Sequence, residues 1–281
     1  MAEWSNAPDS KSGIRFLPYR GFESLSLRHF GPLWQGAFLW VRRLTYIGRM
    51  QSLPSPFKAL VLGSSGTIGT AFVQALARMP ACAQVVALCR SQPPGLVLKD
   101  EASVAAAAQW AQAQGPFHVI VDATGALTID GQGPEKRLAQ VSAQGLMRAF
   151  EVNAIGRALV LKHFVPLLAS KERAVFAVLS ARVGSIADNH LGGWYGYRAS
   201  KAAGNMLLQT AAIESNRTRP LAVFAAMQPG TVVSKLSAPF QAGHNTVSAE
   251  DSVNGMLAAL DGLTAQQQAW FVDYRGESIP W

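Results

Sequence analysis

From residue 58 onward, short apolar runs alternate with longer segments in which apolar positions recur every three or four residues. The short runs predict strands at Ala59–Leu62, Gln84–Leu88, Phe117–Val121, Ala174–Leu179, Leu221–Met227 and Trp270–Asp273, with a weaker one at Leu96–Leu98. The longer segments predict helices near 67–78, 101–114, 137–168, 197–216 and 248–260, the alanine-rich "ASVAAAAQWAQAQ" among them. Strands alternating with helices form a parallel sheet covered by helices. The expectation is one doubly wound α/β domain over residues 58–281, with about seven strands and helices on both faces.

Residues 1–57 break the pattern, holding neither period for more than a few positions. Met50 opens "MQSLPSPFKALVLGSSG", a short lead into the first strand, and "MAEWSNAPDSKSG" resembles peptides made when a start codon is placed too far upstream. Residues 1–57 are therefore read as an extension, disordered or mis-started, with Met50 as the natural start. This region also changes how the charge is read. The chain carries +8, but residues 1–49 hold seven basic residues against three acidic ones, half of that excess. The rest lacks a run of five like charges, so nucleic-acid binding is not expected.

A 49% hydrophobic content allows a sizeable core. Cys82 and Cys89 have neither metal-site nor redox-pair spacing and read as two buried, reduced thiols of a cytoplasmic protein. "LWQGAFLWV" is too short to cross a bilayer and runs into arginines rather than a cleavage site, so no membrane segment is expected. The five histidines lack ligand spacing, so no metal is expected.

"ALVLGSSGTIG" runs a strand through Gly63, Gly66 and Gly69 into a helix. Glycines let the backbone turn tightly and approach a pyrophosphate, while the helix N-terminus offers free N–H groups, so the turn predicts a dinucleotide site in a Rossmann-like domain. An NAD site wants an acidic residue about 20 positions on, at the end of the second strand. There is none between Gly63 and Lys99; Arg90 and Ser91 stand there instead, a charge and a hydroxyl suited to a 2′-phosphate. NADP(H) is expected over NAD(H).

In "GGWYGYRASK", Tyr197 and Lys201 lie four apart on one helix face, whereas Tyr195 points elsewhere. A phenol near a cation and a positive nicotinamide ring can exchange a proton with a carbonyl oxygen, and a hydroxyl donor is wanted on the same oxygen.

The segments "GSSGTIG", "FEVNAIG", "YRASK" and "QPGTVVS", in that order, resemble the short-chain dehydrogenase/reductase family over residues 58–281. "SARVGSIADNHLGGWYGYRASKAAGNMLL" and "GESIPW" are similar to its C-factor-type branch, near the carbonyl reductases. The resemblance implies a catalytic set of Tyr197, Lys201, a serine and Asn153, the last orienting a water toward Lys201. It implies cofactor contacts from Ser65, Thr67, Ile68, Gly125, Pro229, Gly230, Val232 and Ser234, besides Gly63, Gly69, Tyr197 and Lys201. Three departures stand out: "DATG" puts Ala123 where an asparagine is usual, Val97 replaces an aspartate, and Thr67 replaces a glycine. The catalytic serine is Ser180, at the strand terminus, or Ser185, with Ser180 preferred.

The implied activity is NADP(H)-dependent interconversion of a small carbonyl and its alcohol; the alternative is an NAD(P)-binding signalling or redox-sensor protein with little turnover. Asn189, His190, Leu191 and Trp194 are expected along one side of the substrate site, with Leu236 and Phe240 in a lid. With no arginine pair evident for a carboxylate, the substrate reads as neutral. The small, apolar face of the helix from Tyr197 suits a homodimer or homotetramer.

Overall fold

A computed structural model describes residues 50–233 and 245–281. Residues 1–49 and 234–244, and with them the expectations for Ser234, Leu236 and Phe240, lie outside the described residues.

Six parallel strands form the main sheet: β1 (Phe57–Leu62), β2 (Cys82–Leu88), β3 (Val119–Asp122), β4 (Ala174–Leu179), β5 (Ala222–Gln228) and β8 (Trp270–Asp273), in the order β2-β1-β3-β4-β5-β8. Two short strands, β6 (Thr231–Val232) and β7 (Thr246–Val247), pair separately. β3, β4 and most of β5 are buried at every position, as strands covered on both faces must be. The weak strand expected at Leu96–Leu98 does not form: Leu96 is buried, but the segment is a turn leading into the next helix. Three apolar residues after a proline pair are enough to anchor a loop without extending a ladder.

The helices are α1 (Thr67–Ala77), α2 (Glu101–Gln112), α3 (Ala143–Phe150), α4 (Gly156–Phe164), α5 (Tyr195–Asn216) and α6 (Ala249–Gly262). One face of the sheet packs against α2, α4 and α5 through residues such as Val104, Phe164 and Leu208. The other packs against α1 and α6 through Phe72, Leu76, Met256 and Leu257, and Met50 and Leu53 join that cluster. Met50 is buried, and the Ser52 backbone N–H and hydroxyl both donate to Asp261, so the packed body reaches back to Met50. The single helix expected over 137–168 is divided: α3 and α4 join through a π-helical turn, Glu151–Ile155, with short 3₁₀ turns at either end. Strand order reverses between β1 and β3, and ligands of such sheets bind at the carboxyl ends of the strands beside that switch point.

Candidate active site

The turn after β1 is closed by backbone. Gly63 has a left-handed φ of 77°, and its N–H donates to the Leu88 carbonyl at 2.8 Å. A Cβ on Gly69 would lie 2.2 Å from the Gly63 oxygen, so α1 approaches the turn as closely as it does because that atom is missing. The N-cap Gly66 contributes no side chain, leaving the first N–H groups of α1 facing the cleft. This cradle suits the pyrophosphate of a dinucleotide; when bound, a nicotinamide cofactor supplies a hydride.

That cleft, about 490 Å³, runs from Ser65, Thr67, Ile68 and Gly69 past Gly125 and Pro229 to Ser180, Tyr197 and Lys201. Gly63, two residues before Ser65, is not among the residues lining it. Gly230, with a left-handed φ of 78°, and buried Val232 follow Pro229 and border an adjoining pocket. Arg90 and Ser91 are exposed on the turn after β2, outside the residues that line the cleft. Ser91 sits beside the buried Cys89, with Oγ and Sγ 3.5 Å apart. Cys89 is buried and Cys82 half-buried, and both are free thiols. Val97 is exposed on its turn rather than at a strand end.

Within "DATG", Asp122 and Thr124 bond to each other. Asp122 Oδ1 accepts from the Thr124 backbone N–H at 3.0 Å and also from the Thr124 hydroxyl. Asp122 Oδ2 faces the Arg157 guanidinium at 3.7 Å, with both side chains buried. Nothing in the sequence reading singled out Asp122, Arg157 or Asn205; the only signal was an arginine, four residues after Asn153, directly before the apolar run Ala158–Leu161.

Asn153 sits on the π-helical turn, a geometry concentrated at functional sites. It clamps the loop after Gly125: Oδ1 accepts from the Ala126 N–H and Nδ2 donates to the Ala126 carbonyl, both at 2.9 Å. A Cβ on Gly125 would lie 3.0 Å from Asn153 Oδ1 and 3.2 Å from Lys201 Nζ, which places these three residues together.

Helix α5 starts at Tyr195, so Tyr197 lies in its first turn and Lys201 one turn further. Lys201 Nζ is 5.7 Å from the Tyr197 ring centre and donates to the Leu179 carbonyl at 3.2 Å, an oxygen that Arg157 also reaches at 3.0 Å. Burial, then repulsion from Arg157, pushes Lys201 down to about 7, with Asp122 opposing. Burial pushes the Tyr197 phenol up to about 12 against a smaller opposing pull from Arg157. Desolvation thus outweighs the pull of the neighbouring cation on the phenol.

Ser180 borders both the cleft and the adjoining pocket, and its hydroxyl donates to Asn205 Oδ1 at 2.6 Å. Ser185 is buried and accepts from the Asp188 N–H at 3.0 Å; it lines neither space. The adjoining pocket, about 440 Å³, has Leu191 and Trp194 on its wall as expected, together with Arg182 and Arg198. Asn189 and His190 are exposed outside it, Asn189 closing a turn by accepting from the Gly192 N–H at 3.2 Å. Arg182 and Arg198, 16 apart in sequence, thus line one pocket, a proximity the sequence reading did not bring out.

Among known proteins, the chain is 34% identical over 168 residues to the C-signal of Myxococcus xanthus, spanning 59% of this chain and 94% of that one. It is 29% identical over 136 residues to a 1-hydroxy-2-glutathionyl-2-methyl-3-butene dehydrogenase of Rhodococcus, spanning 48% of this chain and 58% of that protein. The NADPH-bound carbonyl reductase of chicken fatty liver shares the fold at a TM-score of 0.69 and 23% identity, covering 81% of this chain and all of that one. No helix among the described residues is long and apolar enough to cross a membrane. The sequence pattern of the short chain dehydrogenases matches residues 58–245, most of the folded body, and the chain belongs to that family as an NAD(P)-dependent oxidoreductase.

Proposed function

We propose that the protein is a carbonyl reductase that prefers NADP(H) and interconverts a small carbonyl compound and its alcohol, with Tyr197 as acid and base. The observation that carries this reading is the single cleft joining the glycine turn to Ser180, Tyr197 and Lys201. As the carbonyl carbon gains a hydride, its oxygen gains negative charge and takes the Tyr197 proton. A phenol raised to about 12 is protonated and ready to donate at neutral pH. Rotation of the Ser180 hydroxyl off Asn205 turns the same proton toward that oxygen, stabilising the developing charge. Lys201, lowered to about 7, is close enough to neutrality to return a proton to the phenolate. Asn153 keeps the Gly125–Ala126 backbone in place beside it. Arg90 and Ser91, exposed at the end of β2 with no carboxylate among the adjacent residues, support the preference for a 2′-phosphate.

The groove of about 590 Å³ between α4 and α5, with apolar Leu161, Val165 and Leu207, and the exposed Met206 support association into a dimer or tetramer.

The test is NADPH and NADH consumption by the full chain with a panel of aldehydes, ketones and quinones. Turnover with NADPH should exceed that with NADH, and Tyr197→Phe should lower kcat by roughly 10²–10⁴ while retaining cofactor binding. Cofactor binding without reduction of any carbonyl would overturn the proposal in favour of a redox sensor.

A further inference from the structure

The pocket beside Tyr197 has apolar walls, Val183, Leu191, Trp194 and Val232, and two cations, Arg182 and Arg198; among the described residues no acidic one lines it. The two cations differ. Arg182 is exposed and paired with Asp188 at 3.0 Å. Arg198 is half-buried, and among the described residues its guanidinium has no carboxylate within ion-pair distance. The guanidinium instead bonds two neutral carbonyls: Nε donates to Gly193 O at 2.9 Å and Nη2 to Gly192 O at 3.1 Å.

Those two bonds use two of the five N–H groups of a guanidinium. They also fix its plane. Gly192, Gly193 and Trp194 are consecutive left-handed residues, with φ of 64°, 65° and 54°, and this tight turn presents both carbonyls to the same side chain. A cation that is partly stripped of water, keeps its charge and is held rigid by carbonyls is pre-organised for a planar oxyanion, which takes two parallel N–H bonds from one guanidinium. Desolvation also pulls the Arg198 pKa down, as expected of a cation whose charge no neighbour balances.

We propose that Arg198 is a specificity-determining residue: its guanidinium anchors a carboxylate on the substrate, so that the pocket takes a carbonyl compound with a short apolar body and an acidic end. The inference rests on the carbonyl reductase reading and replaces the neutral substrate suggested by sequence with an anionic one. A volume near 440 Å³ falls in the range of small-ligand sites. Arg198 immediately follows Tyr197 on α5, so anchoring the carboxylate fixes the substrate relative to the proton donor.

The experiment compares 4-formylbenzoate with 4-methylbenzaldehyde, matched in ring and aldehyde, as NADPH-dependent substrates of the full chain and of its Arg198→Met and Arg198→Lys variants. The wild type should favour 4-formylbenzoate in kcat/KM by at least about tenfold, a common gain from one charge-assisted contact. Arg198→Met should abolish that ratio and Arg198→Lys should keep part of it. Because Arg198 also pins the Gly192–Gly193 turn, a purely structural role would lower both aldehydes together and leave the ratio unmoved, which would overturn the proposal. A fall in NADPH affinity with an unchanged ratio would overturn it too, by assigning Arg198 to the cofactor. A second arm needs no turnover: 4-methylbenzoate is titrated calorimetrically into the NADP⁺-saturated protein. Binding that Arg198→Met weakens tenfold, with neither aldehyde reduced, sustains the anion site and rejects the reductase. Equal reduction of both aldehydes with no 4-methylbenzoate binding rejects the anion site and sustains the reductase.

Discussion

On the α1 side of Tyr197, the cleft is shaped by backbone. The Gly63 turn, the start of α1 and the Gly125–Ala126 loop define it, and its tightest approach depends on an absent Cβ at Gly69. On the other side, the pocket is shaped by contacts between distant segments. Glu135 reaches across 61 residues to the Gly196 N–H at 3.0 Å, and Arg198 grips the carbonyls of Gly192 and Gly193. The first wall is made mainly of backbone turns, with Asn153 clamping the Gly125–Ala126 loop from 27 residues away. The second is set by pairs of residues from different segments, so it can be retuned one side chain at a time.

The largest effect expected is at the buried ion pair on the α1 side of Tyr197's neighbourhood, next to Ala123 and Thr124 of the cleft. Asp122 and Arg157 are both buried, and removing one charge strands the other in a poorly solvated site. Arg157→Met should cost about 3–5 kcal/mol in urea unfolding of the cofactor-free protein. Adding Asp122→Asn to that variant should recover most of the loss, since no uncompensated charge remains. A single-variant cost below about 1 kcal/mol would mean the pair behaves as an exposed one, and the cofactor wall would be less fixed than its burial indicates.

The next effect lies where the walls meet. Ser180 borders both spaces, whereas Ser185 uses its hydroxyl on the Asp188 N–H. Ser180→Ala should reduce kcat by roughly 10²–10³, the usual loss on removing one donor to a developing oxyanion. Ser185→Ala should leave kcat essentially unchanged. The reverse result would move the reacting oxygen toward the 185–196 loop and merge the two walls.

The same division explains what the sequence made legible. Strand runs, the glycine turn and the Tyr197–Lys201 spacing are local signals, each carried within about ten residues, and the elements they predict are present. The seventh strand was over-read because three apolar residues can fill a core from a turn as well as from a ladder. The break in the long helix at Glu151–Ile155 was invisible because a π-turn costs one extra residue and leaves the apolar period nearly intact. Asp122 and Arg157 lie 35 residues apart on a strand end and a helix, Ser180 and Asn205 lie 25 apart, and neither spacing has a sequence signature. Arg182 and Arg198 were missed for the same reason: each reads as a surface residue until loop and helix are brought together.

The smallest effect tests the substrate wall alone. Trp194, the residue before α5, is left-handed and offers no side-chain cap, so the helix that carries Tyr197 begins without the usual hydroxyl or carboxylate of its own. Glu135 fills that role from a distance: its carboxylate accepts from the Gly196 N–H, and its backbone carbonyl accepts from the Trp194 N–H at 2.5 Å. Glu135→Gln keeps an acceptor but removes a negative charge from the positive end of the helix, an interaction typically of about 0.3–1 kcal/mol. For a body of this size, that lowers Tm by roughly 1–4 °C. If the first turn of α5 positions Tyr197, kcat should fall by a factor of about 2–5, which is the same energy expressed at the transition state. NADPH affinity should stay at the wild-type value, because Glu135 lies outside the residues lining the cofactor cleft. If affinity falls as far as kcat, the cap at Glu135 also supports the cofactor wall, and the two sides of Tyr197 are one mechanical unit rather than two.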